Sequence, residues 1–342
     1  MFKRNTIVLM ALAMLLAIPA TMAGMSQGTL LFLTIEPGAR ANAMGRAYTA
    51  VADDAYAPWW NPGATAFNRK TQLAGTHVPW LQGTNIDDLF YEYLGWNQYF
   101  QDIGNINVHL TLLDYGTQPN TDEAGNYLGD FHSFGFATTV GYSYEAIAQK
   151  LGVGANFKLA YEYLGPGQGN TEDAGSALAF AFDLGAKARD IFTDGLDFGL
   201  TIQNIGPDVT HVDEEQSGPT PMTVRLGAAY RALDDPISKL TLSVEASKIL
   251  ANEDALLARF ISGWDPIDET IFGAGIEYTY LQLLSLRGGY FADHAGEIVG
   301  PSFGVGIEYK FDNRYRLTAD FGMIVAGDLA DYNKIFSVGF DF

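Results

Sequence analysis

The chain has 342 residues, with 40 Asp and Glu against 20 Lys and Arg, 38 glycines and no cysteine. A net charge of −20 lacks the basic footprint of a nucleic-acid binder. The absence of cysteine excludes a disulfide framework, a Cys-ligated metal and a lipidated N-terminal Cys. Apolar residues at 48% exclude a disordered chain, while charged residues at 18% fall below the roughly 25% usual for soluble domains.

In chain order, residues 1–23 read as a signal peptide. Lys3 and Arg4 precede an apolar run from Ile7 to Ile18 that Pro19 breaks, and Thr21-Met22-Ala23 places small residues for cleavage after Ala23. No later run of about 18 apolar residues follows, so no conventional transmembrane helix is expected. Residues 24–70 are not strand-like. Their alanine density favours short helices, and Asp53, Asp54 and Asn61 are suited to caps and turns, so the segment reads as a compact plug or hatch.

From Thr71 to the C-terminus the period becomes two. Irregular strands at Thr71–Val78, Leu89–Tyr99 and Asn105–Tyr115 precede a clear alternation at Phe134–Tyr144, Leu151–Tyr163, Leu178–Arg189, Leu196–Asn204, Met222–Ala232 and Leu240–Ser247. It continues at Phe272–Tyr280, Leu284–Tyr290, Phe303–Phe311, Tyr315–Met323 and Phe336–Phe342, giving about fourteen strands in all. Parity along a strand is face. One face is large and apolar; the other mixes Gly and Ala with Lys158, Glu162, Asp183, Lys187, Asp197, Arg225, Glu245, Glu277, Arg287, Glu308, Lys310 and Asp320. An apolar outside and a polar inside describe an all-β transmembrane antiparallel barrel over residues 71–342, not a soluble sandwich. Tyr142, Tyr144, Tyr161, Tyr163, Tyr278, Tyr280, Tyr309 and Tyr315 fit the aromatic girdles of such a barrel.

Short links and long ones alternate. Gln101–Ile103, Glu145–Lys150, Asp190–Gly195, Leu233–Ser238, Leu281–Gln282 and Asp312–Arg314 read as periplasmic turns. Gly116–His132, Leu164–Ser176, Ile205–Pro221, Ile249–Ile271, Ala292–Ser302 and Ile324–Lys334 read as extracellular loops, with a short helix expected inside Asn252–Ser262. Both termini then fall on the periplasmic side. The acidic runs at Asp122-Glu123, Glu172-Asp173, Asp213-Glu214-Glu215 and Asp265–Glu269 lack EF-hand spacing and read as solvated, cation-compensated loop surface. The final alternation of Phe336, Val338, Phe340 and Phe342 resembles the signal by which outer-membrane barrels reach their assembly machinery.

No catalytic, metal or cofactor residues are expected. His77, His109, His132, His211 and His294 show no helical metal spacing, and no Gly-x-Ser-x-Gly elbow occurs. The runs Gly165-x-Gly167-x-Gly169 and Gly273-x-Gly275 lack a following helix and read as structural. The inward charges are expected to pair with one another and with the hatch, because unpaired charge in a crowded lumen is costly.

Several motifs then carry a family resemblance. These are Gly38-Ala39-Arg40 with Met44-Gly45, Ala52-Asp53-Asp54-Ala55, and Trp60-Asn61-Pro62 with Ala66-Phe67. They are joined by Gln203-Asn204-Ile205-Gly206-Pro207, Arg225-Leu226-Gly227 and Leu286-Arg287-Gly288-Gly289-Tyr290. Together they resemble the PorV/PorQ group of outer-membrane proteins, which belongs with the FadL-type fatty-acid channels. Asn61-Pro62-Gly63 departs from the Asn-Pro-Ala of the FadL plug. The resemblance implies a fourteen-stranded barrel with an N-terminal hatch in the outer membrane of a diderm bacterium. It further implies a part in type IX secretion, capturing exported cargo proteins from a large translocon barrel and handing them on at the cell surface. The alternative it implies is a passive channel for fatty acids or other hydrophobic small molecules. Expected partners are therefore outer-membrane lipid, the assembly machinery, cargo with its translocon, or a hydrophobic ligand, and no nucleic acid.

Overall fold

The computed structural model describes residues 28–80, 88–122, 124–166, 175–211, 217–312, 314–327 and 332–342. The signal segment, Gly167, Gly169, Glu123, Glu172, Asp173, Asp213, Glu214 and Glu215 lie outside the described residues. Fourteen strands form one closed ring. They are β1 (Gln72–Pro79), β2 (Phe90–Phe100), β3 (Gly104–Thr121), β4 (Tyr127–Ile147), β5 (Leu151–Gly165), β6 (Gly175–Ala188) and β7 (Leu196–Ile205). The second half comprises β8 (Thr223–Asp234), β9 (Ser238–Ile249), β10 (Ile271–Tyr280), β11 (Leu284–Asp293), β12 (Ile298–Phe311), β13 (Tyr315–Val325) and β14 (Tyr332–Asp341). Each pairs antiparallel with its chain neighbours. The ring closes where β1 meets β14, in register from Gln72↔Asp341 to His77↔Phe336. No described helix is long and apolar enough to cross a membrane; the crossing elements are strands.

The pleat sorts side chains as the parity predicts. On β5, Lys158 and Glu162 are buried inside while Phe157, Leu159 and Tyr161 are exposed on the outer surface. At the end of the ring that carries the short turns, Tyr309, Phe311, Tyr315, Phe340 and Phe342 form an outer aromatic ladder, with Tyr315 and Phe340 stacked at 6.0 Å. The C-terminal row Phe336, Val338, Phe340 and Phe342 lies on this outward face, and Thr71 and Phe342 exchange two backbone hydrogen bonds of 2.9 Å at the closing seam.

Two expected loops are mostly strand. β3 and β4 run on through 116–132, leaving the tip at 122–126, and β11 and β12 leave only 294–297 between them. A register shift between Asp114 and Thr117 marks where the β3–β4 hairpin changes character. Beyond it Gln118, Asn120, Asp130 and His132 show no apolar alternation, because the hairpin there faces neither lipid nor core. In the β9–β10 connection a helix forms at Leu256–Ser262, shorter than Asn252–Ser262 at its N-terminal end.

Candidate functional site

Inside the ring lies the hatch. A 3₁₀ turn at Leu31–Thr34 is followed by α1 (Ala39–Ala43), α2 (Ala57–Trp60) and a second 3₁₀ turn at Pro62–Phe67. Gly38 opens α1 with φ +95°, and a Cβ there would meet the Tyr56 ring at 3.2 Å. Pro58 sits in the first turn of α2, where a missing N–H is tolerated. Asn61 then caps the next turn. Its Oδ1 accepts from Gly63 N at 3.0 Å, while its Nδ2 donates to Thr49 O and to Ala186 O of β6, both at 3.0 Å. Trp60, fully buried, donates from Nε1 to Pro37 O at 3.0 Å and meets the Tyr48 ring edge-on at 5.5 Å. Phe67 lies under the Arg189 guanidinium at 4.8 Å.

Small inward residues let the hatch backbone touch the wall. A Cβ on Gly154 would lie 2.5 Å from Pro62 O, on Gly185 2.5 Å from Asn61 Oδ1, on Gly275 2.5 Å from Met44 O, and on Gly322 2.6 Å from Ala39 O. Gly45, at φ +62°, fits against the backbone of Ala274 and Tyr290. Gly273 and Gly275, singled out as structural in the sequence, belong to this seat. On the remaining side Tyr56 donates to Gly75 O of β1 at 2.6 Å and Ala39 N to Ser337 Oγ of β14 at 2.8 Å, while on β5 Asn156 Nδ2 donates to Pro58 O at 3.0 Å.

Charge completes the attachment. Arg40 bonds Glu277 of β10, and Glu277 accepts also from Arg287, which continues to Asp320 at 2.6 Å. Arg40 Nη1 reaches Asp53 at 2.6 Å and Asp54 at 3.3 Å. Glu245 accepts from the backbone of Tyr48 and Thr49 at 2.9 and 2.8 Å, and Arg225 spans Glu245 and the hatch carboxylate Glu36. Lys158 pairs with Asp183 at 3.2 Å.

Two of the charges, Lys187 and Glu162, find partners that the pattern alone does not indicate. Lys187 forms no ion pair among the described residues; its Nζ donates to the carbonyls of Val51 and Ala52 at 3.0 Å. Glu162 accepts from Tyr115 at 2.6 Å and faces His211 Nε2 at 2.8 Å. Lys310 and Glu308 pair with each other at 3.0 Å near the short-turn rim, where Lys310 is largely exposed. Glu36, a lone acid between Ile35 and Pro37, joins the set with no signal in the sequence, as do Arg316 and Asp341, which pair with each other.

The electrostatics of the hatch follow from this contact list. Asp53 stands half-exposed to the lumen; desolvation by the surrounding ring works to raise its carboxyl, but Arg40 together with Lys239 and Lys187 outweighs it and holds the group well below the usual carboxylate range. Burial pushes the Tyr48 and Tyr56 phenols up, so they act as neutral donors. Below the hatch, toward the short-turn end, two cavities of about 470 and 250 Å³ share the charged side chains Arg40, Asp53, Lys239, Arg316 and Asp341 in their walls. Histidine chemistry does not converge. His132 faces Asp114, His211 Glu162 and His77 Glu92, each at 2.8 Å, and no group of three metal-binding side chains occurs among the described residues.

With this geometry established, comparison with known proteins is informative. The family model described as type IX secretion system protein PorV matches residues 24–255. No curated protein matches the sequence. The P. putida toluene transporter TodX superposes with a TM-score of 0.52 at 13% identity, covering 90% of this chain and 97% of its own. The CymD monoaromatic hydrocarbon channel gives 0.53 at 12%, covering 92% and 98%. A Pseudomonas aeruginosa FadL homologue gives 0.48 at 12%, covering 95% and 99%. Similarity to TodX and CymD at such low identity speaks for the barrel fold alone. The family match spans most of the chain, including the whole hatch, and the chain belongs to the PorV family of outer-membrane β-barrels.

Proposed function

We propose that this barrel is a protein-secretion component of the type IX kind, which binds exported cargo at the face carrying the long connections and passes it on at the cell surface. In that reading the short turns and both termini face the periplasm. The observation that carries it, beside the family match, is the hatch seated across the lumen. The hatch touches nearly every strand through backbone contact or buried ion pairs, and the cavities beneath it are walled by charge. Such an interior is a poor route for hydrocarbons, so the outer surface and the loops are left to do the work. Mild-detergent purification of the tagged protein from native membranes, with mass spectrometry of proteins and extracted small molecules, tests this. A very large barrel or secreted proteins sharing a C-terminal domain are expected to co-purify.

One feature favours the second reading, a passive channel for hydrophobic small molecules. The β6–β7 ladder ends at Phe182↔Ile205, so Gly175–Ala181 has no β7 partner among the described residues. Recovery of the barrel alone with stoichiometric fatty acid or another hydrophobic molecule would favour that reading.

A further inference from the structure

The connection between β9 and β10 carries α3 (Leu256–Ser262) and a 3₁₀ turn at Ile267–Glu269. An ordinary surface helix turns its apolar side chains inward and its charges outward. Here the order is reversed. Arg259 is fully buried, its Nε donating to Asp254 O at 2.6 Å and its Nη2 paired with Asp208 of the β7–β8 connection. Leu257 and Ile261, four residues apart on one face, are 80% and 84% exposed, and Ile267 beyond them is 72% exposed. These exceed lipid-facing strand positions such as Leu226 at 57% and Ile276 at 45%, so the side chains project beyond the wall. Trp264, also exposed, is fixed by a 3.0 Å bond from Nε1 to Phe260 O.

The direction in which this connection leans is given by Lys248. On β9 the inward row is Thr241, Ser243, Glu245 and Ser247, so Lys248 belongs to the outward row with Val244 and Ala246. A lysine on the outer wall of a membrane barrel is costly when lipid covers it. Lys248 is instead fully buried under the connection, donating to Pro266 O at 2.7 Å and Glu269 Oε2 at 3.0 Å. Close by, Gly263 covers Leu250, approaching so nearly that a Cβ on it would lie 2.8 Å from Leu250 Cβ. The connection therefore folds down over the outside of the ring at its long-loop end. Its apolar side chains extend the lipid-facing surface of β8–β10 upward, and Glu253, Asp254 and Asp265 lie exposed beside them.

We infer that α3 and the turn after it form an interfacial anchor, with Leu257, Ile261, Trp264 and Ile267 inserted into the outer-leaflet boundary of the bilayer. Continuity with the outer wall selects lipid as the occupant. Aliphatic side chains beside a Trp match the apolar side of a membrane-interface element. The inference rests on the membrane-barrel reading and adds a surface to it.

The absence of cysteine permits a direct test. Single variants Leu257→Cys and Ile261→Cys, with Leu226→Cys as a wall reference and Glu253→Cys as an aqueous reference, are labelled with an environment-sensitive fluorophore. The full-length protein is then placed in phosphatidylcholine vesicles. All four sites are exposed, so folding is not at stake. Nitroxide carried on phosphatidylcholine should quench Leu257 and Ile261 labels at least about two-fold more than the Glu253 label, and iodide should reach them as poorly as it reaches Leu226. Iodide quenching equal to that at Glu253 overturns the inference and leaves the patch free for a protein partner. Protection from both quenchers overturns it in favour of a second copy. Failure of lipid nitroxide to reach Leu226 would instead remove the membrane reading itself, and the anchor with it.

Discussion

Arg40 and Glu277 meet side by side, with Nε bonded to Oε2 and Nη2 to Oε1, each at 2.8 Å, joining α1 of the hatch to β10 of the wall. A bidentate guanidinium–carboxylate contact fixes orientation as well as distance. Removing one member of a buried pair leaves the other uncompensated, at a cost of about 3–5 kcal/mol. Arg40→Ala is therefore expected to loosen the hatch more than the barrel. Limited proteolysis of the folded protein should cut within residues 38–61 while the barrel keeps its heat-modifiable gel mobility. An unchanged digestion pattern would remove the Arg40–Glu277 pair from the attachment of the hatch.

Shape has its own test at the glycine seat. A Cβ at position 154 would meet Pro62 O at 2.5 Å and Gly63 N at 2.9 Å, and one at 275 would meet Met44 O at 2.5 Å. All of these partners but one are backbone carbonyls, and none can swing aside. Gly154→Ala and Gly275→Ala should each destabilise by about 1–3 kcal/mol, as overpacking does. Gly288→Ala is the control, because its Cβ would sit 3.6 Å from Ile276 Cγ2; its effect should stay within about 0.5 kcal/mol. Denaturant midpoints of the detergent-folded variants decide between them.

How much of this was legible depends on what each residue faces. The fourteen strands show in the sequence because lipid and lumen impose opposite polarities on alternate residues, as at Phe157 and Lys158 on β5. The same rule is silent beyond the bulge at Asp114/Thr117, where the hairpin stands clear of both. The inward charges are visible by parity, yet their partners are not. Arg40 and Glu277 lie 237 residues apart, and pairing them requires the orientation of the hatch within the ring. The two carbonyls that hold Lys187 leave no side-chain trace at all. Arg259 is the reverse case: a helical arginine reads as solvated surface, and its burial follows only from the way the connection folds over the wall.

Acid should weaken the hatch through Asp53. Desolvation raises this carboxyl, and Arg40, Lys239 and Lys187 together lower it further, leaving the folded value below the ordinary one of about 3.9. A depressed carboxyl contributes stability that is fully present above the unfolded value and is lost as pH falls toward the folded one. Protease resistance of the hatch should therefore be flat from neutral pH down to about pH 4 and decline below it. Asp53→Asn should lower resistance at neutral pH and flatten the acid decline. An acid profile identical to that of the unaltered protein would remove Asp53 from the attachment.

Arg225 offers the most direct test of a closed lumen. It bonds Gln203 at 2.9 Å, Glu36 at 2.9 Å and Glu245 at 3.3 Å, and its guanidinium lies 5.2 Å from the centre of the Trp60 ring. One side chain thus ties β7, β9 and both ends of the hatch. In planar bilayers the unaltered barrel should show no sustained conductance, since the hatch fills the ring above the charged cavities. Arg225→Ala leaves Glu36 and Glu245 buried without their common partner. Repulsion between them and hydration of each favour an opened seam, so brief conductance steps are expected from this variant. Steady conductance from the unaltered protein would mean that water threads the lumen past the hatch, and the hatch would then not act as a seal.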